Sequence, residues 1–334
     1  MSADIRAARP EDAEAMLEIL CLAFGLDTDA ARPIFYGDPY YDLSLKRVLS
    51  QPGLGPVSCL TIVPTQLRIG GVVPAAGVAG VATRPAFQRR GHAAALLAAT
   101  VPALYSDLGF PIALLHPVSA PLYRRFGWEY ASRHVRWLSA PSSLPRSPEA
   151  DRIRLAADTD WPAIATLHDA ETCADTGAFQ RDFRRWQLIR LPVPGRETFV
   201  YEYQGEITGY CVLERHDVLH LLEMAGRTKD ARRGLVGFLA RQPDALIEWS
   251  ASPALLDRFG LSWAGLPLDP GVMLRLVDLK AAFSKLHPAH FASALSELGT
   301  TLTIHTSDDL CPQNTHPLRL TPDGVFFAES MSGP

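Results

Sequence analysis

Two short stretches carry residue types that could do chemistry together. The first is Gln88-Arg89-Arg90-Gly91-His92-Ala93-Ala94, and the second is Tyr123-Arg124-Arg125-Phe126-Gly127-Trp128. In the first, a glycine opens what reads as a helix, so the backbone can approach a ligand closely and the first-turn N–H groups have no helical partner. Arg89 and Arg90 add positive charge, while Ala93, Ala94 and Ala95 keep bulky side chains out of the way. Together these features suit a pyrophosphate; on these residues alone, a solvated basic turn capping a helix is the alternative. The spacing is not that of a dinucleotide fingerprint, because Gly77 and Gly80 sit G-x-x-G inside a strand, and no Gly-Lys-Ser/Thr follows as in a P-loop. In the second stretch Tyr123 offers a phenol that is protonated at neutral pH. A core tyrosine before a Phe-Gly turn is the alternative there.

Residues 77–83 read as an apolar strand, and Pro85 marks a turn. A helix from Gly91 then buries Leu97, Val101, Leu104 and Leu108. Another apolar strand, residues 112–115, leads to Tyr123. Upstream, residues 5–9 read as a strand, and Pro10-Glu11-Asp12 opens a helix with acids at its positive end. That grammar returns: Ile5, Arg6, Ala8 and Asp12 match Ile153, Arg154, Ala156 and Asp160. Residues 122–128 are echoed at 255–261, so a domain of ordinary size is duplicated. The second copy repeats Arg-Arg-Gly at Arg232-Arg233-Gly234, but has Ala231 for Gln88, Val236 for Ala93 and Leu256 for Tyr123. One active copy per chain is expected; Arg232 and Arg233 are either an anion site or a surface turn.

The expected architecture is α/β with mixed sheets. Residues 1–140 form the first copy, 141–150 a Pro/Ser-rich linker, 151–271 the degenerate copy and 272–334 a small α+β unit. That last unit reads as a strand at 272–277, a helix over 279–298 interrupted at Pro288, a strand at 300–306 and a hairpin at 321–327. A length of 334 residues exceeds one core, and 47% hydrophobic with 20% charged residues is a globular composition. The net charge of -4 argues against a nucleic-acid partner. Five unpaired-looking cysteines, without any C-x-x-C, imply neither a disulfide framework nor a metal site, and fit a reducing cytoplasm. No apolar run is long enough for a membrane span. His216 and His220 have no carboxylate or cysteine to complete a metal set, Cys59 reads as a core hydrophobe, and Phe35, Tyr36, Tyr40 and Tyr41 either line a pocket or anchor a loop.

Gln88-Arg89-Arg90-Gly91-His92-Ala93 resembles the Gln/Arg-x-x-Gly-x-Gly/Ala signature of the GCN5-related N-acetyltransferases (GNAT), and Tyr-x-x-Phe-Gly-aromatic resembles their later strand-helix segment. With the duplication and the passage 273–278, the chain is similar to the enhanced intracellular survival (Eis) branch, in which an active domain precedes a degenerate copy and a sterol-carrier-protein-like domain. The third unit here is shorter than such a domain. The resemblance implies acetyl-CoA as co-substrate, with Val81, Ala82 and Thr83 along its pantetheine arm and Arg89, Arg90, Gly91, His92, Ala93 and Ala94 at its pyrophosphate. It implies a further contact at Val118 and Ser119, Tyr123 as general acid and no metal. It also implies a homo-oligomer.

The general base is less well marked. The resemblance implies the carboxylate of the last residue, here Pro334, but this sequence ends Ser-Gly-Pro where the branch ends on an aromatic residue. Water or an acidic side chain of the first copy are the alternatives. The expected activity is transfer of an acetyl group to a primary amine that is aminoglycoside-like, polyamine-like or a lysine. A non-catalytic acyl-CoA-binding or regulatory protein is the alternative.

Overall fold

A computed structural model of the chain describes residues 4–132, 134–243, 246–269, 271–285 and 289–327. In chain order the first copy contributes β1 (Asp4–Ala7), α1 (Ala13–Phe24), α2 (Thr28–Gly37), β2 (Lys46–Gln51), β3 (Gly55–Arg68), β4 (Val72–Thr83), α3 (His92–Ser106), β5 (Ile112–Leu115), α4 (Ala120–Arg124) and β6 (Glu129–Tyr130). There follow β7 (His134–Ser139), β8 (Ile153–Leu155), α5 (Trp161–Thr172), β9 (Phe179–Gln180), α6 (Phe183–Ile189), β10 (Arg196–Tyr203), β11 (Glu206–Arg215), β12 (Leu219–Gly226), α7 (Lys229–Leu239), β13 (Ile247–Ala251), α8 (Pro253–Arg258) and β14 (Leu268–Asp269). The chain closes with β15 (Met273–Leu276), α9 (Leu279–Phe283), α10 (Ala289–Glu297), β16 (Leu302–Ile304), β17 (Leu318–Thr321) and β18 (Gly324–Phe327).

These elements form two compact units. One holds the described residues up to Tyr130, together with Thr176–Leu188 and those from Val272 onward; the other holds Ala131–Asp175 and Ile189–Gly271. The first sheet runs β1-β2-β3-β4-β5-β15-β6, with β9 on the edge of β3, and the second runs β8-β10-β11-β12-β13-β7-β14. Position by position they correspond, including the one parallel neighbour pair in each, β4 with β5 and β12 with β13.

The duplication read from the sequence reaches the side chains. Arg6 donates through Nη1 and Nη2 to Asp12 at 2.5 and 3.2 Å, and the Arg9 N–H donates at 2.8 Å. Arg154 donates to Asp160 at 2.5 and 3.0 Å, and the Ala157 N–H at 2.7 Å. Burial pushes the Asp12 carboxyl up, but the Arg6 guanidinium and the Arg9 N–H outweigh it and hold the carboxyl below the usual value.

Two strands cross the boundaries drawn at 140 and 271. Strand β7 follows β6 in the chain, yet it lies in the second sheet between β13 and β14. Strand β15 follows β14, yet it lies in the first sheet between β5 and β6. The registers explain how: Tyr130 faces Met273, and His134 faces Asp269, both antiparallel. Each sheet therefore contains a two-strand ribbon whose members are joined crosswise instead of by a hairpin turn. Residues from 278 onward belong to the first unit too, where Leu279, Leu295, Leu318 and Leu320 share a small core. The expected hairpin is present, with Thr321 facing Gly324.

The first core lies between the sheet and α3, around Leu49, Leu60, Ile62, Val78, Leu96, Leu97, Val101, Leu104, Leu115 and Trp128. The opposite face of the sheet carries α1, over Val48, Cys59 and Ala82. Cys59 is fully buried and its thiol is pushed up to about 12 by that burial, in keeping with a small core hydrophobe.

Candidate active site

The site begins where the sheet opens. β4 pairs with β5 only at Ala75, Ala76 and Gly77, whereas on its other side it stays paired with β3 as far as Thr83. The side of residues 78–83 that faces β5 therefore has no ladder partner, and its backbone groups are available to a linear ligand of amide character. A bulge shapes this stretch: Cys59 faces Ala82 and Thr61 faces Ala79, so Leu60 opposes both Gly80 and Val81. Gly80 has φ +60°, and a Cβ there would lie 2.9 Å from Leu20 Cδ2, so both the conformation and the space require glycine. Ala82 turns its side chain into the core under α1 and is 4% exposed, so it can offer a ligand only its backbone.

Past Thr83 the chain makes a 3-10 turn at Pro85–Phe87 and enters α3, with Gly91 as N-cap at φ +81°. No side chain caps that end, and nothing lies within 4 Å of a Cβ placed on Gly91. Arg89 also has positive φ, +60°, a conformation that L residues adopt only under constraint and from which anion-binding concavities are built. The Arg90 guanidinium rests 5.3 Å from the Phe87 ring centroid, and Gln88 Nε2 donates to the Thr83 carbonyl at 3.2 Å. His92, Ala93 and Ala94 are half-buried, while Arg89 and Arg90 are exposed. The arrangement presents free N–H groups, two guanidinium groups and a helix dipole to one place, which suits a pyrophosphate.

The next crossing returns along β5. Beyond Leu115 come His116, Val118 and Ser119, all exposed, and then α4, which carries Tyr123. Tyr123 is 5% exposed, shares the core of α3, and meets the Trp128 ring edge-on at 6.3 Å. Burial raises its phenol above the ordinary tyrosine value. Of the expected site residues, Val81, Ala82 and Thr83 thus lie on the last residues of β4, Arg89 to Ala94 follow that strand, and Val118, Ser119 and Tyr123 follow β5. Pro334 lies outside the described residues.

A family model, the acetyltransferase (GNAT) domain, matches residues 4–131. Residues 4–131 are a GNAT acetyltransferase domain. Solved structures share the fold over nearly the whole chain. A GCN5-related N-acetyltransferase from Anabaena variabilis matches with TM-score 0.80 at 20% identity, covering 99% of this chain and 86% of that one. A probable N-acyltransferase from Enterococcus faecalis gives 0.79 at 19%, again over 99% and 86%. Eis1 from Mycobacterium abscessus gives 0.70 at 21%, over 99% and 86%. No curated protein matches the chain.

Comparison of the GNAT domain with its degenerate copy separates two kinds of echo. The one around Tyr123 is structural. Phe126 and Trp128 N–H both donate to the Tyr123 carbonyl, and Phe259 and Leu261 N–H both donate to the Leu256 carbonyl. Leu256 is fully buried in the place of the tyrosine. The Arg-Arg-Gly echo, in contrast, is a coincidence of composition. α3 starts at His92, so Gly91 caps it, but α7 starts at Lys229 and contains Arg232, Arg233 and Gly234 in its interior. Its cap is Thr228, whose hydroxyl accepts from the Ala231 N–H at 3.1 Å. Only Arg227 and Thr228 separate β12 from α7, so the second copy has no counterpart of the loop at residues 84–91. Arg232 donates to the Gly226 carbonyl and Arg233 lies 3.3 Å from Glu149; the expectation of a turn there gives way to a helix interior. The linker is also more than a spacer: residues 147–149 press on α7 where a Cβ on Gly237 would lie 2.8 Å from Ser147, and one on Gly234 3.0 Å from the Glu149 carbonyl.

Some residues escape sequence reasoning. His116 stands at the C-terminal end of β5, just where the sheet opens; a polar residue closing an apolar parallel strand is the signal that would have found it. Among the four aromatic residues, Phe35, Tyr36 and Tyr41 cluster with centroids 5.0 to 5.6 Å apart. Tyr40 instead donates to Asp182 at 2.7 Å and anchors the loop. The Lys46 ammonium, 3% exposed, lies 4.9 and 5.2 Å from the Phe35 and Tyr41 rings. His216 and His220 lie on a turn and on β12, not on one helix, and His216 is bonded to Glu214 at 2.7 Å.

Proposed function

We propose that this acetyltransferase moves an acetyl group from acetyl-CoA directly to a primary amine, with Tyr123 as the acid and His116 as the base. The supporting observation is placement along two strands: β4 ends in a flank unpaired with β5 and leads into an uncapped helix start with two arginines, and β5, its parallel neighbour, leads into an exposed imidazole and a buried phenol. Residues 81–83 hold the pantetheine arm, Arg89, Arg90, Gly91, His92, Ala93 and Ala94 hold the pyrophosphate, and Val118 and Ser119 close the far side. The fit is good, because Gly91 is open to its surroundings and no side chain occupies the first-turn N–H groups. When bound, acetyl-CoA supplies an activated thioester.

The chain's own residues manage two protons. His116 accepts the proton that the amine gives up as it attacks. Tyr123, whose ionisation is disfavoured by burial, keeps its proton throughout the neutral range and gives it to the departing sulfur. His116 does here what the resemblance assigns to the carboxylate of Pro334. The acceptor is an aminoglycoside-like, polyamine-like or lysine amine.

A thiol-release assay with acetyl-CoA against a panel of such amines, run beside calorimetry of acetyl-CoA binding, tests the reading. Turnover with at least one amine is expected, and Tyr123→Phe should lower kcat by about 100-fold or more while leaving affinity for acetyl-CoA nearly unchanged. Binding without release of free CoA for any amine would instead identify a non-catalytic acyl-CoA-binding protein.

A further inference from the structure

Tyr123 sits on a helix of five residues with no side-chain cap at its start, so the helix alone cannot hold a phenol in one place. The turn after it must do so. Gly127, in that turn, has φ +82°, and a Cβ there would lie 2.8, 2.9 and 3.0 Å from Nη1, Cζ and Nε of Arg275. The guanidinium therefore lies flat against the backbone just past the C-terminal end of α4, the end that attracts positive charge.

Arg275 belongs to β15 and is 8% exposed. Its Nη2 donates to Asp308 Oδ1 at 2.6 Å, and Asp308 accepts from the Leu310 N–H, the Cys311 N–H and Asn314 Nδ2 at 3.2, 3.0 and 3.1 Å. Asn314 accepts in turn from the Leu279 N–H at 2.7 Å, tying the carboxylate to the chain just beyond β15. Arg275 Nε is buried without a hydrogen-bond partner. A buried ion pair with an unsatisfied donor is a poor device for stability, since apolar side chains of the same shape do as well or better. Its place under the Gly127 turn calls for another reason.

The degenerate copy serves as an internal control. Arg275 faces Ala113, two residues before the end of β5, and the residue so placed in β7 is Trp137, which faces Trp249, two residues before the end of β13. There the turn keeps its glycine, Gly260 at φ +70°, yet a Cβ on it would meet nothing within 4 Å. The copy that has Leu256 in place of the tyrosine therefore also lacks the guanidinium under the turn.

We propose that Arg275, held by Asp308, is a positioning residue for Tyr123: it fixes the turn at residues 123–128 and thereby the direction in which the phenol donates. This rests on Tyr123 acting as the acid. Arg275→Met and Asp308→Asn are to be compared with Tyr123→Phe in steady-state kinetics with acetyl-CoA and calorimetry of its binding. Both variants should lose at least tenfold in kcat with acetyl-CoA affinity within twofold of the parent, and Arg275→Lys should recover part of the loss. The alkaline limb of the kcat profile, which reports the phenol, should shift in Asp308→Asn. If Arg275→Met does not fold, Asp308→Asn decides, because an asparagine still accepts from the two backbone N–H groups. Folded variants with kcat within twofold of the parent, alongside an inactive Tyr123→Phe, overturn the positioning role alone. An active Tyr123→Phe overturns the role of the tyrosine and this inference with it.

Discussion

A chain cut after Ala140 keeps every residue of the GNAT match and should nevertheless fail to fold. It loses β15, which lies between β5 and β6, along with β9 on the edge of β3 and the elements after β15. Met273 and Val277 are fully buried and Leu279 is 5% exposed. At about 1.5–3 kcal/mol for each such side chain, their removal costs about 5–9 kcal/mol. Four register pairs with β5 go as well, which leaves a central strand with an unpaired edge. Against a domain stability of about 5–15 kcal/mol, that loss is decisive. The register also supplies the remedy. Tyr130 faces Met273 across an antiparallel ribbon, so joining residue 131 directly to residue 272 closes a short hairpin in place of the exchange. The measurement is near-ultraviolet circular dichroism with thermal unfolding of three chains: the full one, residues 1–140, and residues 1–131 joined to 272–334. The second should show no cooperative transition and the third should regain one. A cooperative transition in residues 1–140 at the melting temperature of the full chain would refute the reasoning, since the sheet would then not need its borrowed strand.

His116→Ala should lower kcat/KM for amine acceptors by about 100-fold with little change in acetyl-CoA affinity, measured by thiol release and calorimetry. Gly80→Val introduces branching at φ +60° against Leu20 and should destabilise the fold by about 2–4 kcal/mol in urea unfolding. The twin carboxylates Asp12 and Asp160 are both held below the usual aspartate value, so each contributes stability that is present above about pH 3.9 and is lost as pH falls through its lower folded value. Asp12→Asn and Asp160→Asn should each flatten the acid side of a plot of unfolding free energy against pH; an unchanged slope would show that the pairs add nothing.

Legibility in the sequence tracked the range of the interaction. The four matched residues Ile5, Arg6, Ala8 and Asp12 announced the copy at 153–160 because their ion pair closes within seven residues, and the structure repeats it bond for bond. The Tyr123 turn was legible for the same reason. The Arg-Arg-Gly echo misled because three residues do not say whether they stand before a helix or inside one; the deciding quantity was the length of chain between strand and helix. The strand exchange left no trace, since β7 and β15 are equally strand-like and a ribbon joined crosswise has the same local pattern as a hairpin. Arg275 meets Gly127 and Asp308, both far from it along the chain, and spacing alone does not reveal such contacts.

The two-residue link between β12 and α7 also bears on what the degenerate copy could become. Its helix-turn element repeats the backbone hydrogen bonds of the Tyr123 turn, so placing a tyrosine at position 256 needs only a point substitution. A phosphate cradle, however, cannot be recovered residue by residue where the loop that would form it is absent. On the proposed reading, a second acetyl-CoA site in this copy needs an insertion between β12 and α7 before any substitution.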